Sequence, residues 1–185
     1  MRKDFGAKPW FYPLPVLIVG TYDEDGNPDA MNAAWGGLYQ SNMVELCLSA
    51  GHKTTKNIMK TGAFTVSFAD SKNVVASDYV GIVSGNNTPD KMQKSGFTTE
   101  KSKKVNAPII NELPFTMECE FVRATEEGNI IGKVVNISVD DGILDKNGNV
   151  DFDLFKPIAF EPINNTYRVL DEVVGQAFAD GNKLK

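Results

Sequence analysis

Five consecutive residues concentrate polar chemistry in this chain: His52, Lys53, Thr54, Thr55 and Lys56. They follow a strand-like run, Met43 to Ser49, and open a segment that reads as a helix from about Lys53 to Lys60, stopped by Gly62. A helix N-terminus carries about half a positive charge, so a cation there is unfavourable by roughly 0.3–1 kcal/mol. Two lysines in that first turn call for a compensating anion. The segment has what a phosphate group requires: a strand end, backbone N–H groups at a helix start, two hydroxyls and two ammonium groups. Each charge-assisted hydrogen bond contributes about 1.5–3 kcal/mol, which outweighs the dipole penalty. Upstream, Asn32, Ala33, Ala34 and Trp35 form a second candidate. Small residues beside an aromatic let a planar ring lie against backbone, with amides bonding to its edge. An ordinary strand with a buried Trp35 is the alternative.

Other chemistries are narrowed by elimination. His52 is the only histidine among 185 residues, which removes most histidine-based zinc sites. Cys47 lies five residues before it, but on the apolar rhythm of its strand, and Cys119 sits likewise. Both read as small buried hydrophobes in a reducing compartment, not as a nucleophile or a disulfide. Neither G-x-x-x-x-G-K-[ST] nor G-x-G-x-x-G occurs. Two acidic stretches imitate calcium loops, yet Pro28 in the first, and Val150 and Lys156 in the second, stand where a glycine or a bidentate glutamate is needed. Polar β-turns account for them. Nineteen Lys and Arg against 24 Asp and Glu give a net charge of −5, with no polybasic run, so binding to a nucleic-acid backbone is not expected. No window reaches the roughly 18 apolar residues of a membrane span. Asp4, Pro9, Pro13 and Pro15 interrupt the only leader-like stretch, so a soluble, cytoplasmic chain is expected. A chain poor in acid–base side chains still performs chemistry when a cofactor carries it.

These segments need a scaffold, and its pattern is mostly β. Val16 to Tyr22 is a continuous apolar strand, followed by a turn around Asp25-Gly26. Ala30 to Gln40 reads as one strand weakened by Gly36 and Gly37, and Ala63 to Phe68 as another. Asn73 to Val83 reads as a helix, and a loop with Pro89 leads to a shorter one. Phe115, Met117, Cys119 and Phe121 alternate with Thr116, Glu118, Glu120 and Val122, a strand buried on one side. Ile130 to Asp140 and Ile158 to Glu161 are further strands, and the polar tail after Arg168 is compatible with helix. Short, evenly spaced strands suggest an antiparallel barrel in one domain spanning 1–185.

The ordered set of pieces resembles the flavin reductase-like family of FMN-binding split barrels, which includes flavoredoxins. The carrying stretches are YPLPVLIVGTYDEDGNPDAMNAAWGG, LCLSAGHKTTKNIMKTGAFTVSF, SGNNTPDKMQKSGF, LPFTMECEFVRA, IGKVVNISVDDGILDKNGNVD and INNTYRVL. Together they cover roughly residues 13–170 and leave a tail, 171–185. The resemblance implies a mainly β, Greek-key split barrel with a few short helices, which dimerises around FMN. It places the phosphate on Lys53, Thr54, Thr55 and Lys56, with Asn57 behind. The isoalloxazine falls against Asn32, Ala33, Ala34 and Trp35, and the ribityl chain near Ser49, Ala50, Gly51 and His52. The loop around Asp90 and Lys91 covers the site. The chain departs from commoner members in having lysines where an arginine is frequent, so its anion pocket lacks a bidentate fork.

The function so implied is an FMN-dependent oxidoreductase passing hydride or electrons to a small acceptor or a redox partner, with NAD(P)H as a possible donor. An FMN-binding electron carrier without direct NAD(P)H oxidation is the second reading. A related barrel holding pyridoxal phosphate or haem is the third. A homodimer is expected, with Trp10, Phe11 and Tyr12 as candidates for its interface.

Overall fold

A strand whose residues are all apolar needs cover on both faces, and the first long strand has it. In the computed structural model, which describes residues 1–185, a two-residue strand β1 (Leu14–Pro15) leads into β2 (Leu17–Tyr22). The chain continues through β3 (Pro28–Ala33), β4 (Gly36–Gln40), β5 (Met43–Leu46), helix α1 (Lys53–Thr61), β6 (Ala63–Phe68), α2 (Val74–Ile82) and α3 (Lys91–Ser95). A short hairpin, β7 (Thr99–Lys101) and β8 (Pro108–Ile110), precedes the two longest strands, β9 (Phe115–Ala124) and β10 (Ile130–Val139). One helical turn, α4 (Phe152–Phe155), and the hairpin β11 (Ile158–Glu161) and β12 (Thr166–Val169) follow.

Seven strands form one antiparallel sheet in the order β3-β2-β6-β9-β10-β5-β4. Its two edge strands, β3 and β4, are consecutive in the chain and separated only by Ala34 and Trp35. That link spans about 10 Å at most, whereas the edges of a flat seven-stranded sheet stand roughly 29 Å apart. The sheet must therefore curl until its edges nearly meet. Leu17 on β2 and Leu46 on β5 both reach Gly36, where a Cβ would lie 3.2 Å and 2.8 Å from their methyl carbons. The result is a split barrel with a seam at Ala34–Trp35.

Two cores follow from the curl. Inside it, Leu17, Val19, Val44, Leu46, Phe64, Val66 and Ile130 pack with Ile58 of α1. On the outer face, Val16, Ile18 and Ala30 pack with Val80 of α2, Phe97, Ile110 and Ile158. Gly132 marks a bulge in β10 where the Phe64 ring enters, and a Cβ there would stand 2.2 Å from Phe64 Cζ.

Several expectations are corrected. The segment Ala30 to Gln40 is two strands on opposite edges of the sheet, because barrel closure breaks it at the seam. The strand at 115–122 is not one-sided: Thr116 and Glu118 are buried beneath the 99–110 hairpin, where Thr116 meets Ser67 and Glu118 accepts from Ser102 and Asn136. Cys47 is exposed just past the end of β5, while Cys119 is buried and its thiol is pushed up to about 12 by burial and by Glu118. The segment after Arg168 ends a strand and runs on without regular structure to a short 3-10 turn at Asp180–Leu184. No helix is long and apolar enough to cross a membrane.

Candidate functional site

Helix α1 starts and stops as its sequence dictates. Gly62 closes it in the left-handed region (φ 72°) with its N–H on the Ile58 carbonyl. At the other end His52 is the N-cap in extended conformation and gives no side-chain cap. The first intrahelical bond runs from the Lys56 N–H to the His52 carbonyl, so the N–H groups of Lys53, Thr54 and Thr55 have no protein acceptor. The bend before the helix is fixed at the Ser49 carbonyl, which accepts from the His52 N–H at 3.1 Å and the Thr55 hydroxyl at 2.8 Å.

Those amides open beside a cavity of about 140 Å³, walled by His52, Lys53 and Thr54, by Asp29 and Met31 of β3, by the end of α2 through Gly85, and by Lys91. Lys91 is the unusual member. It is 3% exposed and its ammonium makes no hydrogen bond; the nearest carboxylate oxygen, Asp29 Oδ1, is 3.9 Å away. Burial lowers its pKa, Asp29 partly offsets this, and Lys53 lowers it further. Asp29 in turn accepts from the Thr54 hydroxyl at 2.8 Å. The loop at Gly85 presses on that carboxylate so closely that a Cβ would lie 2.4 Å from its Oδ1.

The basic first turn of α1 is also compensated from within the chain. Lys53 pairs with Asp23 at 3.2 Å, and Lys60 with Glu24, so the acidic β2–β3 turn clamps the helix at two points. Hydrogen bonds from Asn27 and Lys53 outweigh the opposing effect of burial and hold the Asp23 carboxyl below its ordinary value. Lys56 points away from the cavity, to Asn86 Oδ1 at 3.3 Å, and the Asn86 amide donates to the Gly51 carbonyl at 3.0 Å. Asn57 is buried and donates to the Thr21 hydroxyl. Of the residues singled out for an anion, Lys53 and Thr54 thus line the cavity, joined by Lys91, which was expected only on a covering loop. Thr55, Lys56 and Asn57 hold the surrounding bend, loop and strand.

The second segment occupies the seam. Asn32 donates to the Ser77 carbonyl at 3.1 Å and packs against Gly81, which ties β3 to α2. Ala33 is in the inner core. Trp35 is 61% exposed, contrary to the buried alternative, and its carbonyl accepts from the Cys47 N–H at 2.8 Å. On either side of it, β3 and β4 each leave one row of backbone groups unpaired, as edge strands do. A cavity of about 390 Å³ lies beside Trp35, between Phe11 of the N-terminal arm and Leu38, with Glu45 and Cys47 on its wall. Burial and Glu45 raise the Cys47 thiol. From Cys47 the exposed residues Ser49, Ala50, Gly51 and His52 lead to the α1 cavity, so seam, strip and cavity are continuous along the chain.

Sequence reasoning missed Asp23, Asp29 and Gly85, and also Tyr167, whose hydroxyl donates to Asp78 at 2.7 Å and is pushed up to about 12 by burial and that carboxylate. A charged Asp29 in register with Met31 and Ala33 on a strand was the one available signal. The calcium-like stretches are turns: Asp23 Oδ1 accepts from the N–H groups of Asp25 and Asn27, and Asp145 Oδ1 from those of Asn147 and Asn149.

The profile described as "Flavin reductase like domain" matches residues 11–157. Among solved structures the chain is similar to flavoredoxin of Desulfovibrio vulgaris (Miyazaki F), with 34% identity and a TM-score of 0.93 over 98% of this chain and 100% of that one. It is similar to flavoredoxin from Methanosarcina acetivorans, with 25% identity and a TM-score of 0.89 over 100% of both. An FMN-binding domain of a flavin reductase-like enzyme from Shewanella baltica OS155 shares the fold, at 16% identity and a TM-score of 0.76 over 88% of each chain.

Proposed function

The chain belongs to the flavin reductase-like family, and from that premise we propose that it is an FMN-binding oxidoreductase that passes hydride or electrons to a small acceptor or a redox partner. The observation that carries the cofactor is Lys91. The Lys91 side chain is almost wholly buried while its ammonium makes no hydrogen bond and has only Asp29 at 3.9 Å. Lys91 lines the same cavity as Lys53 and the start of α1, whose first N–H groups lack protein acceptors. A phosphate group would accept from both ammonium groups and from those N–H groups. At about 140 Å³ the cavity is below the roughly 300–1,000 Å³ of whole-ligand pockets, so it suits a terminal group and excludes a tricyclic ring.

A flavin bound there supplies the redox chemistry, and the protein supplies position. Lys53, Lys91 and the first N–H groups of α1 would hold the phosphate, and Thr54 fixes Asp29 beside it. Ser49 to His52 would line the polar middle, and the unpaired backbone at the seam would meet the ring beside Trp35. Thr55, Asn57, Lys56 and Asn86 keep the bend and loop in place. Asn32 fixes β3 to α2, so that the seam keeps its shape.

We also propose a homodimer. The exposed aromatics Trp10, Phe11, Tyr12 and Trp35, together with an apolar cavity of about 290 Å³ inside the split barrel walled by Leu38, Phe68 and Phe115, support a second copy as its cover.

The test is a fluorescence-quenching titration with FMN and riboflavin. A preference of tenfold or more for FMN, roughly one charge-assisted bond, is expected, and equal affinities would sink the assignment. Bleaching of the flavin absorbance by NAD(P)H within seconds, without a partner, marks a reductase; a flavin that stays oxidised marks an electron carrier.

A further inference from the structure

We propose that Asp23 sets how tightly the α1 cavity holds a phosphate monoester, by occupying Lys53 whenever the cavity is empty; this rests on the phosphate reading above. Two lysines and one aspartate, Asp29, line the cavity. A second aspartate, Asp23, stands outside its wall and reaches it only through Lys53, and the two aspartates differ. Asp29 is buried, bonded to Thr54 and covered by Gly85, so its place is fixed. Asp23 lies on a turn, and its side chain is 18% exposed against 26% for Lys53.

The two oxygens of Asp23 have separate tasks. Oδ1 accepts from the N–H groups of Asp25 and Asn27 and so builds the β2–β3 turn. Oδ2 accepts from the Lys53 ammonium at 3.2 Å and from the Asn27 amide at 3.3 Å. A ligand phosphate must either draw Lys53 from Oδ2 or share its ammonium with that carboxylate, which neutralises part of its charge. A dianion with three acceptor oxygens wins that contest, but at reduced affinity. The competition falls on every anion, so ligands lacking a ring to add affinity at the seam are held poorly. Asp23 therefore sets the affinity for phosphate-bearing ligands by acting through Lys53.

Asp23→Asn keeps an acceptor for the turn and removes the charge, and Asp23→Ser, also suited to a turn, guards against a folding defect in either. Each is titrated with FMN, riboflavin and inorganic phosphate at low and high salt. Both variants should bind FMN about three- to tenfold more tightly at low salt, the range of a partly exposed ion pair and one relieved repulsion, with a smaller gain at high salt. Inorganic phosphate should gain similarly, and riboflavin should not change. In a Lys53→Ala background the gain should vanish. If Lys53→Ala weakens FMN binding but both Asp23 variants bind FMN no better than the parent, the inference is overturned and the phosphate reading stands. If FMN and riboflavin bind alike in the parent and Lys53→Ala changes neither, the phosphate reading itself falls, and this inference with it.

Discussion

Replacing Lys91 by methionine keeps an unbranched stem and deletes the ammonium. In the empty protein this strands Asp29, which is 3% exposed and left with the Thr54 hydroxyl alone. At 3.9 Å and an effective dielectric of about 20 the lost attraction is about 4 kcal/mol, and relief from burying the ammonium offsets part of it. A loss of about 2–3 kcal/mol in urea-melt stability is expected for Lys91→Met. Adding Asp29→Asn keeps an acceptor for Thr54 and removes the stranded charge, so the double variant should return to within about 1 kcal/mol of the parent. Cofactor affinity should behave differently. Loss of one charge-assisted bond to phosphate, about 1.5–3 kcal/mol, weakens FMN by roughly one to two decades in both variants. Riboflavin should move less than about twofold, having nothing for Lys91 to hold. Recovery of FMN affinity together with stability in the double variant would refute the reasoning, because Lys91 would then serve only as a partner for Asp29.

Lys53→Ala should weaken FMN about tenfold and Lys56→Ala less than about threefold, since Lys56 reaches Asn86 outside the cavity; titrations of both variants decide it. Apo melting of Lys53→Ala should hold within a few tenths of a kcal/mol, as relief at the helix dipole is cancelled by loss of the Asp23 pair. Gly132→Ala should lower stability by about 1–3 kcal/mol, read as a urea midpoint, because the new methyl meets the buried Phe64 ring. The Asp23 carboxyl is held below its ordinary value of 3.8, so its contribution is present above that pH and lost as pH falls through the lower folded value. The parent should therefore lose more stability than Asp23→Asn on acidification below about pH 4 in parallel melts. Sedimentation should give twice the 20.3 kDa chain mass, and a monomer with full FMN affinity would refute the dimer.

The parts of this fold legible in sequence are those with local causes. The apolar run of β2, the bounds of β6 and the α1 segment ended by Gly62 follow from composition and turn chemistry. The break between Ala33 and Gly36 has no local cause; it arises when the seventh strand meets the first. The 99–110 hairpin was hidden because it covers polar positions: Thr65 donates to the Pro108 carbonyl, and Ser102 donates to Glu118. In the site, the basic helix start was visible, but its partners were not. Lys53 meets Asp23 across 30 residues and Thr54 meets Asp29 across 25, distances over which periodicity carries no information. Lys91 entered only through a resemblance that put it on a covering loop, whereas its side chain is as buried in the cavity wall as that of Asp29.

The two residues at the seam act like the clasp of a hoop. Their number fixes the circumference of the barrel, because β3 and β4 cannot separate further than Ala34 and Trp35 reach. Added length in the turns at 23–27 or 125–129 would hang outside the hoop, at the modest closure cost of a longer loop. One extra residue between Ala33 and Gly36 would instead slacken the ring and turn the Trp35 side chain from its present face to the opposite one. The tolerance of this scaffold to insertions should therefore be least at a seam whose Trp35 is exposed, against the usual rule that surface segments vary most freely.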